Sequence, residues 1–163
     1  MYKKYEKADQ KLMATWAADC AERVLPLFER VCPDDNRPRK AIEQCREWAR
    51  TGIFGMAVIR CASLGSHAAA REAPDEATRY AARAAGQAVA TAHVPQHAFG
   101  AAYYALKAIA SAEPANALAN VAREWEWEVQ RAPENLKDEI QKRILIKDTK
   151  NGPVIEIFKD ADY

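Results

Sequence analysis

An all-α fold of about seven mostly antiparallel helices, packed as a compact bundle or a short stack of helical hairpins, follows from three features of the chain. Apolar residues recur every three or four positions over long stretches, proline and aspartate fall at the breaks, and the breaks are short. Alanine fills the middle, in runs such as His67-Ala68-Ala69-Ala70-Arg71 and Ala81-Ala82-Arg83-Ala84-Ala85-Gly86. Small side chains let helix axes approach toward the short end of the ~8–10 Å range. No repeat of fixed period occurs, which argues against a solenoid.

Asp9 is placed to cap a first helix whose stripe runs Leu12, Trp16, Cys20, Val24, Leu27, Phe28 and Val31. Pro26 predicts a kink within that run, because its ring crowds the preceding turn and it lacks an N–H. Pro33-Asp34-Asp35-Asn36 reads as a loop. A second helix starts near Arg37 and Pro38, with the proline in the first turn where no donor is needed. Its buried side is Ile42, Cys45 and Ala49, with Trp48 close by, and Gly52 ends it. The third helix runs from about Met56 to Ala73, before Pro74. Asp75 caps a fourth that continues to about Ala92.

His93-Val94-Pro95 is the next corner, and Pro95 opens a fifth helix with Phe99, Tyr103, Leu106 and Ile109 at core spacing. Pro114 opens a sixth, with Leu118, Val121, Ala122, Trp125 and Val129 on one face. Pro133 opens a seventh, with Leu136, Ile140 and Ile144 four apart. The end of the chain changes period. Ile144-Leu145-Ile146 and Val154-Ile155-Glu156-Ile157-Phe158 flank Asn151-Gly152 and read as a short β-hairpin. Two strands alone are marginal in water, so the hairpin must lean on the helices or pair with a second copy. Residues 1–146 therefore read as the helical domain, and residues 147–163 as a tail that packs on it as a hairpin.

Composition narrows the function. Hydrophobic residues at 49% and charged residues at 29% describe a globular chain rather than a disordered one. Lys plus Arg number 24 against 23 for Asp plus Glu, so a formal charge of +1 gives no reason to expect nucleic acid or an anionic membrane as partner. No stretch approaches the roughly 18 apolar residues of a membrane span. The charged opening Met1-Tyr2-Lys3-Lys4-Tyr5-Glu6 does not resemble a signal peptide. Cys20, Cys32, Cys45 and Cys61 form no C-x-x-C pair and are expected as buried free thiols in a reducing cytoplasm.

No catalytic set, metal or cofactor is expected. His93 and His97 are four apart, but Pro95 lies between them and no Asp or Glu adjoins to complete a ligand set. His67 and Arg71 share a helix face and would line a pocket or a partner surface, or sit solvated near a helix end. Asp35, Arg37 and Arg39 crowd one helix start, where they either meet a partner's charges or satisfy their own helix. A third reading has the arginines reach the acidic residues of the sixth helix. In Glu124-Trp125-Glu126-Trp127-Glu128 the two tryptophans point about 200° apart. With Trp125 on the core face, Trp127 becomes either an exposed anchor or a residue packed beneath the tail. The glutamates, Glu124 first among them, read as a solvated face.

Three segments resemble the Imm5-like group of bacterial immunity proteins. They are Asp35 to Glu43 (D-N-R-P-R-K-A-I-E) with Trp48, Gly86 to Ala102 (G-Q-A-V-A-T-A-H-V-P-Q-H-A-F-G-A-A), and Glu124 to Pro133 with its W-x-x-x-x-x-A-P ending. The middle segment is the most specific, and the likeness spans roughly Ala14 to Leu136. The resemblance implies an all-helical domain that binds and neutralises a cognate toxin made by the same cell, by steric occlusion. It implies no enzymatic activity and carries over no contact residue. Two rivals stand beside it. One is a small-ligand-binding domain or weak enzyme using His67, His93 and His97 around a cavity between alanine-rich helices. The other is a structural homodimer joined through the tail or the Trp127 face.

Overall fold

The computed structural model describes residues 3–163. Met1 and Tyr2, which begin the charged N-terminal stretch, lie outside the described residues. The chain forms α1 (Lys7–Glu29), α2 (Arg37–Thr51), α3 (Met56–Glu72), α4 (Glu76–Ala90), α5 (His97–Ala112), α6 (Ala117–Gln130) and α7 (Lys137–Arg143), then β1 (Ile144–Thr149) and β2 (Gly152–Ile157). The all-α expectation with a terminal hairpin holds.

α4 occupies the centre and packs on α1, α2, α3 and α5. Its composition explains the position. Ala81, Ala82, Ala84, Ala85, Gly86 and Ala88 are all buried, so α4 offers small side chains to neighbours on several sides. Asp75 caps it as expected, its Oδ1 accepting from the Thr78 N–H at 2.9 Å. At the other end Gln10 of α1 donates to the carbonyls of Thr91 and Ala92, at 2.8 and 3.1 Å. Gly52 ends α2 with φ of 70°, a left-handed conformation that favours glycine.

Several details differ from the sequence reading. Glu6, not Asp9, precedes α1; Asp9 lies in the first turn and accepts from Asn135 at 2.8 Å. Leu12 and Val31 are exposed, at 45% and 47%. The buried stripe is instead Met13, Trp16, Ala17, Cys20, Val24, Leu25 and Phe28, because α1 faces α2, α4 and α5 together. Pro26, where a kink is expected, lies inside α1, which runs on to Glu29. The prolines at later breaks stand ahead of the helices rather than in their first turns. α5 begins at His97, and 3-10 turns at Pro114–Asn116 and Glu134–Leu136 precede α6 and α7. Ile144 is the first residue of β1, not the last of a helix.

α6 departs furthest. Its buried residues are Ala117, Val121, Glu124 and Glu128, while Leu118 and Ala122 are exposed and Trp125 and Val129 half-buried. The face turned inward therefore carries two carboxylates, and the solvated reading of Glu124 and Glu128 is corrected.

The hairpin pairs Ile144 with Ile157 and Ile146 with Ile155 in antiparallel register. These isoleucines share one face and pack on Leu106 and Val121 of the helical body, with Trp125 at the edge. Gly152 closes the turn at φ of 101°. The hairpin leans on α5 and α6, the first of the two alternatives above.

Candidate functional site

Two glycines let polar side chains enter between the alanine-rich helices. A β-carbon on Gly86 of α4 would lie 2.9 Å from the Cε1 and Nε2 atoms of His67, and one on Gly100 of α5 would lie 2.7 Å from Gln87 Oε1. His67 of α3 thus lies against Gly86, and Gln87 of α4 against Gly100. His67 Nδ1 stands 3.3 Å from Arg83 Nη1. A guanidinium has no lone pair to offer, so Nδ1 accepts and the imidazole proton sits on Nε2. His97 Nδ1 is 2.7 Å from Gln87 Oε1 and donates to it, which leaves Nε2 of the neutral ring as acceptor.

His67, His93 and His97, all three histidines of the chain, line one pocket of about 380 Å³. Met56, Ile59, Leu64 and Ala90 supply an apolar wall, and Arg60 and Ser63 complete the lining. Burial, then the charge of Arg83, holds His67 down at a pKa of about 4. Burial, then His93, lowers His97 as well. His93 itself is exposed at the α4–α5 corner and stacks on Phe54 with centroids 6.5 Å apart. Sequence reasoning named the three histidines but not Arg60, Gly86 or Gln87. Two glycines fourteen residues apart in an alanine-rich frame were the available signal. Among the described residues no group of three or more His, Cys, Asp or Glu is placed to hold a metal ion.

The outer side of α3 and the segment before it are apolar and open. Ile53, Phe54, Met56, Val58 and Leu64 are exposed, Ile53 by 78%. Beside them runs a wide groove between α2 and α3, floored by Ala57, Val58, Cys61 and Ala62 and edged by Lys40, Glu43 and Glu47. Cys61 is exposed and Cys32 half-exposed, which corrects the expectation that all four cysteines are buried; Cys20 and Cys45 are.

A family model described as "Imm-5 like putative immunity protein" matches residues 3–135, most of the chain. The chain belongs to this family. No curated protein and no solved structure matches it. The family match ends before α7 and the hairpin.

In this member of the immunity-protein family the remaining candidate residues lie apart from the histidine pocket. Arg37 grips Asp35 with Nε and Nη2, at 2.9 and 2.7 Å, and bridges to Glu72 at the end of α3. That hydrogen bonding holds Asp35 below the usual carboxylate range. Arg39 pairs with Glu29 of α1. Neither arginine reaches α6; Arg23 of α1 does, with Nε 3.2 Å from Glu124 Oε1. Arg71 is exposed on α3, a turn beyond His67. Trp127 is half-buried between two guanidiniums, Arg23 and Arg131, whose carbons stand 4.6 and 4.5 Å from the ring centroid. The structure brings His67, His93 and His97 together, joins Asp35 to Arg37, and sets Glu124 and Trp127 around Arg23. It does not unite these groups in one site.

Sequence reasoning read Glu128 as part of a solvated face. It is fully buried, and neither carboxylate oxygen has a hydrogen-bond partner among the described residues. Burial, with Glu124 nearby, pushes its pKa well above the usual value. Burial also raises Glu124, against the opposing charge of Arg23. The neighbouring Cys20 thiol is raised for the same reason, so neither group is a ready nucleophile or base.

Proposed function

We propose that this chain binds a cognate toxin and blocks it by occlusion, docking through the outer face of α3 and the α2–α3 groove. The family supports the kind of partner, and the exposed cluster Ile53, Phe54, Met56, Val58 and Leu64 carries the choice of face. Five large apolar side chains are exposed within twelve residues, Val58 on the groove side of α3 and Met56 and Leu64 on the side of the histidine pocket, a concentration of the kind that marks protein contacts. The groove edge carries both signs of charge, so the matching surface is an apolar projection with a mixed polar rim rather than a strongly basic one.

Co-expression with the product of the adjacent gene tests the reading. A stable complex and relief of toxicity are expected, with Cys61 protected from maleimide once the complex forms. The double variant Ile53→Asp, Val58→Asp is expected to weaken the complex at least about tenfold, since apolar residues at the centre of an interface dominate its affinity. No complex with the neighbouring product would remove the toxin reading. A complex indifferent to the double variant would move the docking face elsewhere.

A further inference from the structure

We propose that the histidine-lined pocket between α3, α4 and α5 binds a small organic anion, an acidic group carried on a compact apolar body. The inference does not rest on toxin binding and concerns the chain on its own, although Met56 and Leu64 belong both to the pocket wall and to the exposed apolar residues of α3.

Size and lining define the ligand. The pocket, about 380 Å³, falls within the range that holds a small molecule. Met56, Ile59 and Leu64 offer one side to an apolar body. The polar lining is one-sided in charge. Arg60 lines the pocket, is exposed, and forms no ion pair with any described carboxylate. His67 also lines the pocket; its Nδ1 is taken by Arg83, and its Nε2–H, beside Gly86, has no hydrogen-bond partner among the described residues. No Asp or Glu lines the pocket.

The surrounding basic side chains point the same way. Arg60 and Arg71 come from α3, Arg83 from α4, His93 from the corner and His97 from α5. Arg83, His97 and Arg71 all act on His67 as positive neighbours, with no carboxylate opposing them. Arg60 and Arg83 carry no ion pair with a described carboxylate, Arg71 has Glu72 beside it, and the half-buried imidazoles are held neutral until an anion enters. An anion that enters reverses the pressure on His67 and His97 and favours their protonated forms, so binding takes up protons and tightens as pH falls.

Imidazole signals of the full chain, followed by NMR, test this with benzoate and phenyl phosphate as probes and benzamide as their neutral counterpart. The acidic probes are expected to give saturable shifts at His67 and His97, several-fold tighter at pH 6 than at pH 8. Benzamide is expected to give none. Arg60→Ala, an exposed position, should weaken the acidic probes about fivefold or more while the thermal unfolding midpoint of the unliganded chain stays as it was. Which acidic probe binds more tightly separates a carboxylate from a phosphate ligand, and either result supports the site. Equal binding of benzamide, an unchanged affinity in Arg60→Ala, stoichiometric capture of zinc by the three imidazoles, or no saturable shift with either acidic probe would each overturn it.

Discussion

At the scale of the single residue, Glu128 sets a cost that the fold carries at neutral pH. Its carboxyl is fully buried without a partner, so the native state holds it protonated. The unfolded chain ionises this group near the usual glutamate value of 4.5, and the folded chain only at higher pH. As pH rises above 4.5 the unfolded state therefore loses protons first and gains ground, and stability falls. Glu128→Met keeps the volume and removes the charge. Urea unfolding should find the variant more stable by about 1–3 kcal/mol at pH 8, with the gain shrinking toward pH 4. A loss of stability at pH 8 would mean that the carboxylate has a partner in solution. The position was visible in the sequence as spacing: Ala117, Val121, Glu124 and Glu128 are four, three and four apart. The expectation that carboxylates stay in water concealed it.

At the scale of the helix, α4 shows why small residues were legible as close packing while their partners were not. The alanine runs announced near approach, and the burial of six small residues on α4 agrees. Which side chain fills the space beside a glycine depends on how two helices cross, and no local pattern fixes that. Two glycines give opposite outcomes for the same substitution. Beyond its own helix backbone and chain neighbours, Gly65 of α3 has no atom of the described residues within 4 Å of where a β-carbon would lie, so Gly65→Ala should gain helix propensity, about 0.5–1 kcal/mol. Gly86→Ala gains the same propensity but drives its methyl to 2.9 Å from the His67 ring. Overpacking costs about 1–3 kcal/mol, so the clash wins and a net loss of about 1 kcal/mol is expected. Thermal unfolding of the two variants side by side checks the sign. The breaks between helices were legible for a simpler reason, because proline and the Asp75 cap act locally. The exact starts were not, since 3-10 turns take up the residues just after Pro114 and Pro133.

Across the whole molecule, Arg143 ties the end of the chain to its beginning. It is fully buried, and its guanidinium donates to Glu139 at 2.5 Å, to Asp160 at 2.8 Å and to the Phe158 carbonyl at 3.3 Å. Tyr163 lies over the same guanidinium and beside Phe99, and its carbonyl accepts from the Lys3 N–H at 2.9 Å. Lys3 in turn pairs with Glu139, so the first and last described residues meet around one arginine. No motif announced this. Arg143 stands in a stretch rich in charge, Lys137 to Arg143, and the return of the tail past the hairpin closes over it. Removing the guanidinium leaves Glu139 half-covered without its main partner and releases Asp160 and Phe158 together. Arg143→Ala should therefore cost about 3 kcal/mol, within the range for breaking a buried ion pair. Arg143→Lys should recover only part of it, because an ammonium cannot span the three acceptors as a planar fork does. Hydrogen exchange gives the reading that separates a clasp from a core defect. In Arg143→Ala the amides of β1, β2 and the segment 158–163 should lose protection while those of α4 keep it. Equal loss across α4 and the hairpin would show that the tail is part of the same cooperative unit as the core, and that Arg143 does more than hold it in place.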